Sequence, residues 1–113
     1  MATKSKLRGK TMINGNVDEF IDVITYQDAA VMYKGFRYFF NGLCFNEKTK
    51  TYKIEIYKEK LKEGSKYEYE FVEDVFSWKS VSKDECLYHL LNDKIFEGKS
   101  FYEVESEMHW IDW

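Results

Sequence analysis

Proline is missing from this 113-residue chain altogether, and cysteine occurs only as Cys44 and Cys86. Without proline there is no proline-rich linker, and two cysteines are too few for a disulfide scaffold. No apolar run approaches the ~18 residues that a membrane-crossing helix needs. The basic opening "MATKSKLRGK" is not followed by the apolar stretch of roughly 7–15 residues that marks a signal peptide. Gly35, Gly42, Gly64 and Gly98 stand alone, so no glycine-rich phosphate loop is present. There is no internal repeat and no low-complexity run. These absences lead to the expectation of a reduced, cytoplasmic protein with no membrane contact.

Aromatic residues are what the chain has in surplus: nine Phe, nine Tyr and three Trp. With 44% hydrophobic and 33% charged residues the composition is that of a globular domain. A chain of this length buries roughly two-thirds of its unfolded surface, enough for one core without staples. Net charge is −3, which argues against a nucleic-acid binder, since those carry a basic face. The charge is uneven. Lys4, Lys6, Arg8 and Lys10 open the chain with no acid among them, whereas residues 93 to 113 hold six acids and two lysines. Residues 1–11 read as a flexible basic tail, and 12–113 as a single α+β domain.

"NVDEFIDVI" begins a helix, with Asn16 positioned to cap it, Glu19 three residues on, and Val17, Phe20, Ile21 and Ile24 on one stripe. The middle of the chain alternates as strands do. "DAAVMYKGFRYFF" is two strands joined at Lys34-Gly35, and Gly42 marks a bulge or a close approach. "TYKIEIYKEKL" sets Tyr52, Ile54 and Ile56 against Lys53, Glu55 and Tyr57. "YEYEFVEDVFSW" sets Tyr67, Tyr69 and Phe71 against Glu68 and Glu70. This predicts a four-stranded antiparallel meander with one apolar face. Ser82 and Glu85 then form a capping box, with Val81 placed to staple onto Cys86, and "KDECLYHLLND" buries Cys86, Leu87, Leu90 and Leu91. Ser100 and Glu103 repeat the box, and Phe101, Val104, Met108 and Ile111 fall at helical spacing. The expected fold is therefore α+β: one helix before the meander and two after it, packed on one face.

Few residues carry chemistry. Cys86 and His89 could reach one metal from a helix, but zinc needs three or four ligands, and only Cys44, His109, Asp84 or Asp93 are available to complete the set. A buried Cys and a surface His is the simpler reading. As a nucleophile Cys86 is badly placed, in an apolar stripe beside Asp84 and Glu85, where a thiol pKa rises. The carboxylates show no distinctive pairing. No catalytic residue, metal or cofactor is expected. "KGFRYFF" has the start of an RNA-binding aromatic motif without its remainder, so a core reading is preferred. Lys48, Lys50, Lys53, Lys58, Lys60 and Lys62 make a basic edge interrupted by Glu47, Glu55 and Glu59.

The succession "DEFIDVITYQD", "YKGFRYFFNG" and "SKDECLYHLLNDKIFEGKSFYEVESEMHWID" resembles small uncharacterised proteins of Gram-positive bacteria and their mobile elements, over residues 17 to 112. The resemblance implies a bacterial cytoplasmic setting and no particular activity.

The expectation is a small non-enzymatic protein that binds another protein. The alternatives are a nucleic-acid-associated regulator using the basic tail and lysine-rich hairpin, or an anti-defence inhibitor mimicking nucleic acid with its acidic C-terminal surface. In "FEGKSFYEVESEMHW", with Phe101, Val104 and Met108 given to the core, Tyr102, Glu105, His109 and Trp110 remain as partner-binding candidates, together with Trp113. Trp113 is expected to fold back over the sheet, with homodimerisation as the rival.

Overall fold

Period-2 alternation and two tight turns organise the structure, a computed structural model that describes residues 9–13 and 15–112. The order is β1 (Gly9–Met12), α1 (Val17–Tyr26), β2 (Ala29–Tyr33), β3 (Phe36–Asn46), β4 (Thr51–Leu61), β5 (Tyr69–Ser80), α2 (Lys83–Asn92), α3 (Phe101–Val104), a 3-10 turn (Glu105–Glu107) and β6 (His109–Asp112). All strand pairings are antiparallel, in the order β1-β6-β2-β3-β4-β5. The α+β class and the antiparallel meander, β2 to β5, are as expected. The sheet itself is larger than the four strands predicted, because both chain ends add to it. Gly9 to Thr11, assigned to the flexible tail, belong to β1; residues 1–8 lie outside the described residues.

The strongest departure is at the C-terminus. The helix expected through Ile111 stops after one turn at Val104, and His109–Asp112 becomes a strand between β1 and β2. Phe101, Val104 and Met108 are buried as the helical spacing required. "HWID" also fits a strand, with an aromatic and a β-branched residue on alternate faces, and the backbone of β2 offers it hydrogen bonds that a lone helical turn lacks.

Side chains paired across the ladders share a face. One face carries Val31, Tyr33, Tyr38, Phe40, Ile54, Ile56, Phe76, Trp78 and Trp110, and the helices pack there. Phe20 of α1 meets Phe40 and Trp110 edge-on, both at 5.2 Å, and stacks on Phe101 of α3 at 5.7 Å. Phe96, from the loop after α2, fills the space over Tyr38 (5.2 Å) and Tyr33 (6.3 Å). Burial of the Tyr38 phenol pushes its pKa up to about 12, so it stays neutral. In α2, Cys86, Leu90 and Leu91 are buried. Ser82 accepts the Glu85 N–H at 3.2 Å, giving the predicted cap. Val81 is exposed and does not staple onto Cys86. At α1, the Asn16 carbonyl accepts the Phe20 N–H, but its side chain makes no cap bond, because its backbone (φ −130°, ψ 22°) is not the extended cap conformation.

Lys34 and Gly35 both take positive φ, 50° and 83°, as the tight hairpin demands. Gly42 sits at a break in the β3–β4 register between Asn41 and Cys44. Its N–H donates to Asp28 Oδ1 at 2.8 Å, and a Cβ there would stand 2.7 Å from the Gln27 carbonyl oxygen. Bulge and close approach coincide.

Leu90→Ala is expected to cost about 2–5 kcal/mol as a cavity in this core, and Ser82→Ala about 1 kcal/mol through the lost cap; denaturant melts that ranked them equal would contradict the packing of α2. Gly42→Ala is expected to cost about 1–3 kcal/mol, since backbone rather than a yielding side chain blocks the methyl. A melt unchanged from wild type would contradict the close approach.

Candidate interaction surface

Among the described residues no helix lies over the second face of the sheet. Two rows of side chains cross it. One runs His109, Met32, Arg37, Glu59 and Phe71 over five strands; the other runs Ile111, Ala30, Phe39, Tyr57 and Asp74. Phe39 packs on Tyr57 at 5.1 Å and Tyr57 on Phe71 at 5.9 Å, a ladder of rings oblique to the strands. Arg37 donates from Nε to Glu59 Oε1 at 2.7 Å, and its guanidinium lies 4.0 Å from the centre of the Tyr69 ring. Glu59 is only 9% exposed, so this pair works at lower dielectric than a surface ion pair. Burial, then Glu59, push the Tyr57 phenol up, with Arg37 opposing. The charges at the centre of the face are thus paired among aromatic and aliphatic side chains; the Lys53–Glu55 pair (3.2 Å) and Asp74 lie farther along the same face.

The patch thickens toward the β4–β5 hairpin. Leu61, Tyr67, Phe71 and Val72 are four of the nine large apolar side chains that stand exposed among the described residues, and Phe71 is 59% exposed. Tyr69 and Phe71 were expected on the core side. They lie on the open face because β5 is apolar in both phases, and it is Phe76 and Trp78 that reach the helices. Register shifts in β5 add an extra residue at Val72 and another at Val75. The sequence signal was present in "FRYFF", where both alternating sets hold aromatics.

Of the five residues proposed from the sequence, the four that are described do not come together. Trp110 is 8% exposed and packed edge-on to Phe20, so it is core rather than an interface anchor. Its neighbour His109 points the opposite way, into the open face beside Met32, since adjacent strand residues alternate. Tyr102 is exposed on α3, its ring 5.8 Å from Phe101. Glu105, expected on the solvent side, is half-buried, with Oε2 shielded from water. Trp113 lies outside the described residues, and with it the question of its folding back.

Cys86 and His89 have different partners. Cys86 Sγ points at the carbonyls of Tyr52 and Trp78 (3.7 and 3.9 Å), and burial, then Glu85, push its thiol up. His89 stacks on Trp78 with ring centres 3.6 Å apart and places Nδ1 3.0 Å from Asp93 Oδ1. Among the described residues no group of three or more His, Cys, Asp or Glu is arranged to hold a metal ion. Cys44 and Cys86 are both free, and no helix among the described residues is long and apolar enough to cross a membrane.

No family model, no curated protein and no solved structure matches this chain. The open face therefore has to be read from its own geometry.

Glu103 gives a check on the C-terminal turn. Lys94 Nζ at 2.8 Å and then the Ser100 N–H at 2.8 Å hold its carboxyl down to about 2, from an ordinary 4.5. A depressed folded-state pKa stabilises above the unfolded value, so this contribution is intact above pH 4.5 and fades as pH falls toward 2. Carboxylate titration by NMR should find Glu103 well below the other glutamates and rising in Lys94→Ala. An ordinary value in the wild type would contradict the turn geometry.

Proposed function

We infer that this protein acts by binding another protein through the open face of its sheet, with no catalytic step. The observation that carries the reading is the Phe39–Tyr57–Phe71 ladder, flanked by Leu61, Val72 and Tyr69, on a face that no helix covers. Phe71, Leu61 and Val72 stand exposed beside the half-buried Phe39 and Tyr57. Exposed apolar surface of this kind marks interaction sites, and aromatics with arginine are the side chains enriched at their centres. The paired Arg37 and Glu59 suit burial under a partner, because neither would be left as an uncompensated charge.

Nucleic acid fits less well. The rings of the ladder pack against one another at 30° and 52°, rather than standing free to take bases, and the chain is acidic overall.

Immobilised wild-type chain and the variants Phe71→Ser and Tyr57→Ser, presented to a nuclease-treated lysate, test this. Phe71 is exposed, so its substitution should move stability by only about 0.5 kcal/mol. Proteins held by the wild type should be lost on both variants and insensitive to nuclease. Retention indifferent to both substitutions, or abolished by nuclease alone, would overturn the reading.

A further inference from the structure

β5 is an edge strand of twelve residues, whereas β1, at the opposite edge, has four. A strand with one buried face alternates between buried and exposed residues, yet Glu70 to Asp74 are exposed five in a row. This half of β5 runs beyond the helix layer, with both faces and one backbone edge in solvent. α2 packs at its other end, where His89 stacks on Trp78. At its tip Tyr69 and Glu70 face Leu61 and Lys60 beyond the start of β3, a ribbon of only two strands, and along the whole segment the open row of backbone donors and acceptors is a template for another extended chain.

We propose that Tyr69–Asp74 of β5 is a docking edge for an extended segment of a partner protein in which basic residues alternate with apolar ones. The proposal rests on the open face being a protein-binding surface and names the chemistry of the partner. Backbone pairing fixes the shape of the occupant, as in strand addition generally. The two faces of the ribbon fix its sequence. On the helix side Glu70 and Glu73 point out, across the ladder from Lys60 and Lys58. The Cβ atoms of an added strand would stand about 5 Å from those of Glu70 and Glu73, a spacing that rewards lysine or arginine. On the open face the added strand lies beside Phe71 and Tyr69, where an apolar side chain extends the aromatic patch. Tyr69–Asp74 holds three acids and no basic residue. Lys60 of β4 pairs with Glu70 at 3.5 Å in an exposed contact, whereas Glu73 and Asp74 form no ion pair among the described residues and are left for a partner to neutralise. A second copy of β5 fits worse, because it would bring three more acids against the single Lys79.

The test uses the full chain, isotope-labelled, and a capped ten-residue peptide of alternating lysine and valine. Two counterparts of the peptide are N-methylated, one at its lysines and one at its valines. The parent peptide should shift the amides of Tyr69–Asp74 and slow their exchange. One methylated peptide should lose at least ten-fold in affinity while the other keeps it, because only one set of amides faces β5. Glu70→Lys combined with Glu73→Lys should lose at least ten-fold as well. Equal binding by both methylated peptides and the parent would show charge adhesion without strand pairing. Absence of binding by the parent, or a doubled solution mass with β5 already protected, would likewise overturn the proposal. In any of these cases, proteins lost from the Phe71→Ser surface would leave the reading of the open face intact.

Discussion

Phe20 is the side chain on which the rest of the structure depends. It is fully buried and touches Phe40 of β3, Phe101 of α3 and Trp110 of β6, three elements that all lie well away from α1 in sequence. Edge-to-face and stacked ring pairs each add about 0.5–1.5 kcal/mol beyond their burial, and here one ring makes three of them. Because Trp110 must reach Phe20, β6 is set down beside β2 on a fixed face. β1 can then pair only with the outer edge of β6. Two short strands that could not persist alone are held by this aromatic contact together with the ladder from β6 to β2. The Gln27–Gly42 approach acts at the other end of the same helix, bringing the residues after α1 against the bulge of β3.

Most of what lies between these anchors was legible from periodicity. α1 and α2, the hairpin at Lys34-Gly35 and the close approach at Gly42 each follow from a local rule about spacing, capping or positive φ. β1 and β6 were not legible, because a four-residue strand has no period to detect. Phe101, Val104, Met108 and Ile111 satisfy the helical template and the observed turn-plus-strand equally well. What separates the two is the free edge of β2, which is tertiary information. The same limit explains Trp110. Its identity suits an interface anchor or a core residue, and only its place beside Phe20 decides.

The candidate surface was illegible for a different reason. Alternation ordinarily implies one apolar face and one wet face, the usual state of an antiparallel sheet. In β3, Phe36, Tyr38 and Phe40 serve the core while Arg37 and Phe39 build the open face. In β5, Phe76 and Trp78 serve the core while Tyr69 and Phe71 do not. Aromatic surplus therefore did not measure the size of the core. Part of it went to a second surface whose central charges, Arg37 and Glu59, are already matched.

That matching bears on how such a face remains compatible with a folded monomer. An exposed aromatic sheet invites indiscriminate association, and edge strands add to the hazard. Here Glu70, Glu73 and Asp74 crowd the accessible half of β5, and two bulges twist it away from the flat geometry on which stacking depends. Like charges directly opposite one another are destabilising, so the same acids that oppose self-pairing favour a basic strand in their place. In the proposed docking, protection against the wrong partner and selection of the right one are a single electrostatic feature, placed where β5 leaves the cover of the helices.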